Sequence, residues 1–505
     1  MDRAPPTPTA PRTPRPRWSP RPWQVVAWPG LAALCLILPK LGQGGFSVDT
    51  GWYSALALQA WRDAIGEADP GALWSLRGPG GADGPPYLNK PPLAFWLHGL
   101  SLHALGPTVL AARLPAALAA ALCCSALAVC VGLRAGRRAG LLAGLVLALT
   151  WEFTRHARAF SLDMWLVLFL VGAACPVAAA LGGRGSRVVL LSGLLLGLGL
   201  LTKPLIAALA LPLLGAWVVG AGRRELLWWL GGAGLLMIVV AAPWHVSMYL
   251  RHGSEFAEQY FGREIVARAA GRLPGANRGS GAWWYYLAEL ARSYWPWLVT
   301  MLLGLAALGR SQFRRAHRGP AWHWALWLGA WVLALSLHPD RRPRYALMIY
   351  PAGAALSALW LIAAAPRPIR AAARHWPRAA PGLAVLVGVV LALAPIRIHR
   401  PDEPQWPELF AHLRERGIGL VHDGGLAGAR AARLYLELGS WPVPTRDRAG
   451  RVTAPPPPGA HLLYHRRDGW GPGPGEVVLW ERGALTLTRL EAPPWRPVLR
   501  PDPGE

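Results

Sequence analysis

The stretch PTVLAARLPAALAAALCCSALAVCVGL, residues 107–133, decides the fold class of this chain. Its only charged residue is Arg113, and it exceeds the roughly 20 apolar residues that a helix needs to cross a bilayer. The sequence RAGRR follows at 134–138. An apolar run of this length that ends in a basic turn is typical of a membrane span and its cytoplasmic end.

Similar apolar runs occur on both sides of this stretch and predict about 11 membrane spans in all. The other predicted spans are Trp23–Leu38, 139–154, 163–181, 188–202, 204–221, 226–243, 294–309, 321–338, 345–364 and 381–397. Hydrophobic residues make up 53% of the chain and charged residues 16%, against about 25% charged in soluble proteins. This composition excludes a set of water-soluble domains and a mainly disordered chain, and it predicts a polytopic α-helical membrane protein.

The strong positive charge is explained by the membrane topology. Lys and Arg number 52 and Asp and Glu 27, which gives a formal net charge of +25. The turns after the even-numbered spans carry Arg134, Arg137, Arg138, Arg184, Arg187, Arg223, Arg224, Arg310, Arg314, Arg315, Arg318, Arg367, Arg370, Arg374 and Arg378. This is the pattern of cytoplasmic turns, so we expect membrane lipids and no nucleic acid as partners. A Pro- and Arg-rich tail, residues 1–22, is predicted to be disordered and cytoplasmic.

The remaining segments then face the other side of the membrane. They are the first outer loop 41–106, the turn 155–162, the turn at Lys203, the long outer loop 244–293 and the turn 339–344. Within the first loop, Trp52–Ile65 and Pro91–Leu105 are predicted to be amphipathic helices at the membrane interface.

We divide the chain into a membrane domain, residues 23–397, and a C-terminal extracytoplasmic domain, residues 398–505. The second domain is polar, and its pattern predicts a small α/β fold. Its predicted strands and helices are Gly417–His422, Glu476–Glu481, Pro404–Arg416 and Gly425–Leu438.

Charged residues at the outer ends of spans are the candidate functional residues, because burying them in lipid or protein is costly. They are Asp49, Lys90, Arg155, Arg158, Asp163, Lys203, Arg341, Arg342 and Arg344. Cations of this kind suit the phosphate of a lipid-linked sugar and the charge left when the sugar departs. A carboxylate on the opposite face of the sugar would take the proton of an incoming hydroxyl.

Each of these residues also has an ordinary structural explanation. Asp49 could be a solvated loop residue, Lys90 could extend to the interface, and Asp163 could cap a helix. The arginines of 341–344 could contact lipid headgroups. The chain lacks HExxH, GxSxG, Walker and zinc-type cysteine motifs, and its cysteines, Cys35, Cys123, Cys124, Cys130 and Cys175, lie within apolar runs.

Four passages resemble the GT-C membrane glycosyltransferases of the protein mannosyltransferase and aminoarabinose transferase type, glycosyltransferase families 39 and 83. They are VDTGWYSALALQAW at 48–61, YLNKPPLAFWLHGL at 87–100, RHARAFSLDMWL at 155–166 and LLTKPL at 200–205. Weaker similarity is found in APWHVSMYLRHG at 242–253 and RPRYALMIYPAGAAL at 342–356. The resemblance covers roughly residues 23–364.

The resemblance implies a role for each matching residue. Asp49 corresponds to the catalytic base, and Asp163 to a second active-site carboxylate that organises the pocket. The donor phosphate would be bound by Lys90 and, by position, by Lys203, Arg158, Arg342 and Arg344. The chain departs from the family pattern at Thr50, where members often have Glu, and at Pro204, which directly follows Lys203 where members usually have Gly-Pro.

The resemblance also implies an activity: transfer of a sugar from a polyprenyl-phosphate donor on the periplasmic or luminal side of the membrane. The carboxylate and cations described above suit an inverting, metal-independent transfer. The high Ala, Gly, Arg and Trp content favours a bacterial inner membrane, with the site facing the periplasm. No cofactor is expected, and the acceptor would be lipid A, another glycan or a protein. One alternative is a transporter or flippase for a lipid-linked anion, although such proteins usually show internal repeats and broken midplane helices. Another is an inactive relative that only binds a lipid-linked sugar.

Overall fold

The chain is described by a computed structural model that covers most of both predicted domains. The described residues are 20–66, 69–78, 84–203, 205–272, 283–309, 315–393, 405–423, 428–438, 442–444, 455–465, 470–482, 484–491 and 498–499. Nearly all of the predicted basic tail, together with Pro204, lies outside them.

The part before residue 394 is helical. Its α-helices are α1 (Pro22–Ile37), α2 (Val48–Gly66), α3 (Leu93–Leu105), α4 (Val109–Ala135), α5 (Arg137–Ala148), α6 (Trp151–His156), α7 (Leu162–Leu181), α8 (Leu190–Leu200), α9 (Ala210–Gly220), α10 (Leu226–Phe256), α11 (Tyr285–Ser293), α12 (Trp297–Leu308), α13 (Arg315–Leu337), α14 (Tyr350–Ala363) and α15 (Arg367–Leu393). Short 3₁₀-helices lie at Pro70–Leu73, Ser186–Val189, Ile206–Leu209 and Pro343–Met348, and a π-helix lies at Ala257–Ala267.

Several of these helices have the length and composition of membrane spans. Within the described residues, Val109–Ala135, Leu162–Leu181 and Leu226–Ala267 are long and apolar enough to cross a bilayer. Tyr350–Ala363 and Arg367–Trp376 form a further apolar pair that is bent by 120°. Six shorter apolar helices accompany them. The structure is therefore mainly helical with several apolar helices, as predicted, whereas the count of about 11 spans stays a prediction.

Two sequence expectations differ from the structure. The run 139–154 was expected to be one span, but it is divided between α5 and α6. The chain breaks there because Thr150 has an extended backbone and its hydroxyl donates to the carbonyl of Val146 at 2.8 Å. The outer loop 244–293 is not mainly a loop, because α10 continues to Phe256 and the π-helix follows directly.

Small residues hold the centre of the helical bundle together. Helix α4 packs against α1, α5 and α7. A Cβ atom on Gly140 of α5 would lie 2.2 Å from the carbonyl oxygen of Ala128, and one on Gly144 would lie 2.6 Å from that of Cys124. Two glycines four residues apart on one helix face thus bring two backbones into direct contact, as is common in membrane helix pairs.

The described residues of the C-terminal part form α16 (Gln405–Glu415), α17 (Gly428–Leu438) and seven short strands. The strands are β1 (His422–Asp423), β2 (Val443–Pro444), β3 (His461–His465), β4 (Trp470–Gly471), β5 (Glu476–Arg482), β6 (Leu485–Leu490) and β7 (Val498–Leu499). One sheet has the order β2-β1-β3-β6-β5, with parallel pairing at β1 and antiparallel pairing at β6, and β4 pairs with β7. The predicted boundary at residue 398 lies outside the described residues.

Helix α17 packs on helix α2 of the first outer loop. Ala431, Ala432 and Tyr435 are buried there against Ala55 and Leu58. This contact joins the C-terminal part to the helix whose first turn carries Asp49.

Replacing Gly140 by Ala should lower the melting temperature of the detergent-solubilised protein. The added methyl group meets backbone atoms, so α4 and α5 must separate at a cost of about 1–3 kcal/mol. Gly231→Ala in α10 is the matched control, because no atom lies within 4 Å of the Cβ position there. Equal melting temperatures for the two variants would contradict the close packing of α4 on α5.

Candidate functional site

All five predicted outer segments contribute to one cavity of about 510 Å³. The first outer loop supplies Asp49 and Lys90, and the turn 155–162 supplies His156. Lys203 and the two arginines Arg342 and Arg344 line the same space. Residues that are far apart in the sequence therefore meet because their loops connect neighbouring helices of one bundle.

Asp49 lies in the first turn of α2. The helix begins after Ser47, whose Oγ accepts a hydrogen bond of 3.4 Å from the backbone N–H of Thr50. A carboxylate is stabilised near the N-terminus of a helix, where the unpaired N–H groups carry partial positive charge. The Asp49 side chain is half exposed to the cavity, and its Oδ2 accepts a hydrogen bond of 2.6 Å from Nη1 of Arg344.

Asp163 lies in the first turn of α7 but does not cap it. Ser161 is the N-cap, since its Oγ accepts from the N–H of Met164 at 3.1 Å. The carboxylate of Asp163 instead accepts a hydrogen bond of 2.5 Å from Lys203 Nζ and lies 3.7 Å from Nε of Arg344. Asp163 therefore links two cations across the cavity wall.

Arg344 connects the two carboxylates. Burial alone would lower the pKa of its guanidinium, but Asp163 and Asp49 outweigh that effect and raise the pKa. The ammonium group of Lys203 also contacts an aromatic ring, since its Nζ lies 4.2 Å from the centre of the Tyr345 ring. Such a cation–π contact stabilises an ammonium group without neutralising it.

A second series of ion pairs also contributes to the cavity, through Lys90, Glu264, Arg268 and Arg342. Lys90 donates to Glu264, and Glu264 accepts from Arg268 at 3.0 Å. Arg268 also donates to Asp340 at 2.7 Å, and Asp340 lies 3.1 Å from Nε of Arg342. Burial would raise the pKa of Asp340, but the two arginines outweigh it and hold the pKa below its usual range. Asp340 is fully buried and stays ionised.

Lys90 is the cation of this site whose charge depends on pH near neutrality. Burial lowers its pKa to about 8, although Glu264 acts in the opposite direction. His156 contributes no charge near neutral pH, because burial and Arg155 lower its pKa to about 4. Tyr53 lies one turn beyond Asp49, and burial together with Asp49 raises its pKa to about 12.

Part of the cavity lining is apolar. Leu205, Ile206, Leu209 and Leu335 form this part, beside Lys203. The cavity thus joins a charged region to a hydrophobic wall, an arrangement that suits an amphiphilic ligand with a polar head and an apolar chain.

The structure does not bring Arg158 to the cavity. Its guanidinium donates to the carbonyls of Ile37 and Pro39, the latter at 2.5 Å. These carbonyls lie at and just beyond the C-terminal end of α1, where helix carbonyls lack partners within the helix. Arg158 therefore ties α6 and α7 to the end of α1, and we correct the sequence-based assignment of a phosphate-binding role to it.

Sequence reasoning missed Glu264, Arg268 and Asp340. The first two had a recognisable signal, since Glu264 and Arg268 are four residues apart in GREIVAR, the spacing of a helical ion pair. The polarity of residues 244–293 predicts a loop, however, and helical spacing is not expected in a loop. Among the described residues no group of three His, Cys, Asp or Glu side chains is placed to hold a metal ion.

Comparisons with known proteins agree with this architecture. Residues 89–246 match the family described as Dolichyl-phosphate-mannose-protein mannosyltransferase. An undecaprenyl phosphate-alpha-4-amino-4-deoxy-L-arabinose arabinosyl transferase of Pseudomonas paraeruginosa (strain DSM 24068 / PA7) is 30% identical over 286 residues, which are 55% of this chain and 48% of the relative. The chain spans about half the length of the curated relatives it matches.

Two solved structures extend the likeness to most of the chain. The crystal structure of ArnT from Cupriavidus metallidurans bound to undecaprenyl phosphate matches with a TM-score of 0.67 and 17% identity, covering 93% of this chain and 99% of that one. The oligosaccharyltransferase AglB from Archaeoglobus fulgidus, in complex with an inhibitory peptide and a dolichol-phosphate, matches with a TM-score of 0.55 and 15% identity, covering 86% and 61%. At these identities the likeness establishes the fold. The predicted resemblance to GT-C glycosyltransferases of the protein mannosyltransferase and aminoarabinose transferase type is confirmed.

Replacing Arg158 by Met should destabilise the protein without weakening phosphate binding. The substitution leaves carbonyls at the end of α1 without a partner, at a cost of about 1–3 kcal/mol each. We expect a lower melting temperature and an unchanged affinity for undecaprenyl phosphate, measured by tryptophan fluorescence. Arg187→Met, which removes an exposed cation before α8, is the control. A loss of affinity at an unchanged melting temperature would restore Arg158 to the binding site.

Proposed function

We propose that this chain is an integral membrane glycosyltransferase that moves a sugar from a polyprenyl-phosphate donor to an acceptor hydroxyl. The observation that carries the proposal is the single cavity in which the carboxylate of Asp49 lies among several cations, next to an apolar wall. The likeness in fold to ArnT and AglB supports it, and a transporter or flippase finds no support among the relatives.

The donor phosphate would be bound by four cations that the sequence predicts, Lys90, Lys203, Arg342 and Arg344. Arg268 would be the fifth. Among the described residues, these five cations face the four carboxylates Asp49, Asp163, Glu264 and Asp340, an excess of one positive charge. A phosphodiester carries one negative charge, so the donor would neutralise the site. The first isoprene units of the lipid would lie against Leu205, Ile206, Leu209 and Leu335.

The transfer would be a single displacement that inverts the anomeric centre. Asp49 would accept the proton of the acceptor hydroxyl as that oxygen forms a bond to C1 of the sugar. The bond between C1 and the phosphate oxygen breaks, and its electron pair stays on the phosphate. Fixed cations then stabilise the charge that develops on the leaving group, which is the role of an oxyanion-type site. No metal ion is required in this scheme.

Asp163 would act by fixing Lys203 and Arg344 in place. It holds Lys203 Nζ at 2.5 Å and lies 3.7 Å from Arg344. Arg344 in turn donates to Asp49 at 2.6 Å. Asp163 would therefore orient both a phosphate-binding cation and the residue that positions the base.

The names of the relatives indicate which substrates to test first. We infer that undecaprenyl phosphate-alpha-4-amino-4-deoxy-L-arabinose is the first donor to test, because this sugar is named in the relative from Pseudomonas paraeruginosa. Other pentoses and hexoses linked to the same lipid are the next. The acceptor would be lipid A, another glycan or a protein. The basic turns support an orientation in which the cavity would face the periplasmic side of an inner membrane.

Replacing Asp49 by Asn should reduce sugar transfer by a factor of about 10²–10⁴, because the acceptor hydroxyl loses its base. The affinity for undecaprenyl phosphate should be retained, since the cations remain. Release of undecaprenyl phosphate from the purified protein and donor measures the activity. Asp69→Asn is the matched control, an identical substitution in the same loop at a residue that does not line the cavity and whose side chain accepts from the backbone N–H of Gly71.

Three results would contradict parts of this assignment. Full activity of Asp49→Asn would remove Asp49 from the base role. A loss of phosphate binding in the same variant would make its effect structural. If the folded wild-type protein released undecaprenyl phosphate from no donor, the enzyme proposal itself would fall, and a binding or transport function would take its place.

Donor affinity should depend on the protonation of Lys90. Below pH 8 its ammonium group is charged and attracts phosphate, whereas its charge is lost as the pH rises through about 8, so affinity should fall there. Glu264, Arg268 and Lys203 are the charged groups that act on it. In Lys90→Arg the guanidinium stays charged, so the affinity should be nearly constant between pH 7 and pH 9. The same fall in both proteins would mean that another group titrates.

A further inference from the structure

Glu264 lines the cavity and pairs with two cations proposed to bind the donor, but unlike Asp49 and Asp163 it has no place in the proposed transfer. It accepts a hydrogen bond from Lys90, and the side chains of Lys90 and Glu264 are only 14% and 10% exposed. A buried ammonium group that is already paired with a carboxylate is not freely available to a second anion. The donor phosphate and Glu264 therefore compete for Lys90.

Glu264 has a second partner, Arg268, which can still bind it after Lys90 has moved to a phosphate. Both of its oxygens accept hydrogen bonds from Nη2 of Arg268, at 3.0 and 3.1 Å. Removing one partner from a buried ion pair normally leaves an uncompensated charge, which is strongly unfavourable. Arg268 prevents this cost, so the exchange of Lys90 from Glu264 to a phosphate leaves every charge paired.

The backbone around Glu264 is unusual. It lies in the π-helix Ala257–Ala267, and π-helices of this length are rare because most are single-turn bulges, often at functional sites. The helix before it is broken at Gly253, with φ 51° and ψ −129°, and Gly271 follows with φ 69°. Gly253 thus separates the segment from the regular helix before it, and Gly271 lies in the turn that ends it.

We propose that Glu264 is a positioning residue that competes with the lipid phosphate for Lys90 and so lowers the affinity for both donor and product. This inference rests on the proposed function. After transfer, the leaving phosphate monoester carries about −1.5 to −2 charges at neutral pH and would bind the cations more tightly than the donor did. Glu264 counteracts that gain by reclaiming Lys90, which favours release of the lipid phosphate.

The test is the affinity for undecaprenyl phosphate, measured by tryptophan fluorescence in detergent, of the full-length wild-type protein and the Glu264→Gln variant. Gln keeps the size of the side chain and removes its charge, so we expect binding to become tighter, by about tenfold. Under saturating donor, turnover should fall because release of the product slows. Glu258→Gln is the matched control: it makes the same charge change on an exposed residue of the same π-helix that does not line the cavity.

A cycle with Lys90 separates competition from a structural role. In the Lys90→Gln background, Glu264→Gln should tighten binding much less than in the wild-type background, because Lys90 is gone and only the pairing with Arg268 is relieved. Glu264→Asp, which keeps the charge but withdraws it by one methylene group, should tighten binding less than Gln does. This variant keeps the test decisive if Glu264→Gln does not fold.

The possible results lead to different conclusions. Weaker or unchanged binding in the folded Glu264→Gln variant would overturn the competition, and so would equal tightening in the two Lys90 backgrounds. If Glu258→Gln tightened binding equally, the effect would come from the net charge of the protein, and this result would overturn the competition as well. A wild-type protein that binds no undecaprenyl phosphate would instead overturn the proposed donor class, and the inference with it.

Discussion

The structure depends on one electrostatic constraint, which is that every charge in the cavity needs a partner. The charged groups lie among helix ends, and Lys90, Lys203, Asp163, Glu264 and Asp340 have little access to water there, so an uncompensated charge costs several kcal/mol. The chain meets this constraint with two continuous series of ion pairs. One runs from Asp49 through Arg344 and Asp163 to Lys203, and the other from Lys90 through Glu264 and Arg268 to Asp340. Pairing allows many charges to be gathered in one small volume.

A scaffold for such a cavity must hold its loops in fixed positions, and here close helix packing does so. The glycines of α5 allow α4 and α5 to touch through their backbones. Arg113 and Arg158 then bind the segment after α1, since Arg113 donates to the carbonyls of Leu41, Gln43 and Gly45. This segment leads directly into α2, so the position of Asp49 follows from contacts made some distance from it.

The sequence predicted much of the site because membrane topology restricts where charges can lie. Asp49, Asp163, Lys90, Lys203, Arg342 and Arg344 all stood at the outer ends of apolar runs, and all six line the cavity. Topology tells which side of the membrane a residue faces but not the direction of its side chain. Arg158 shows this limit, because it lies in the right turn and yet points to the backbone after α1.

Other features were beyond the reach of hydropathy. The division of residues 139–154 occurs at Thr150, whose hydroxyl donates to the carbonyl of Val146 in α5. This hydrogen bond cannot be read from the apolar pattern. Residues 257–267 are amphipathic and moderately charged, so they resemble an exposed loop when only their polarity is considered. These residues contribute to the site through two ion pairs, Glu264 with Lys90 and Arg268 with Asp340. The partners are distant in sequence and meet only in the folded chain.

Helix α2 makes the C-terminal part relevant to the cavity. Asp49 and Tyr53 lie on the side of the helix that lines the cavity, whereas Ala55 and Leu58 pack against α17. Arg62 reinforces the second contact, with its Nη1 at 3.2 Å from the hydroxyl of Tyr435 and its guanidinium over the same ring. A helix that is held on one side by a separate part of the chain cannot change its orientation alone. Any force on α17 therefore acts on the helix that presents Asp49.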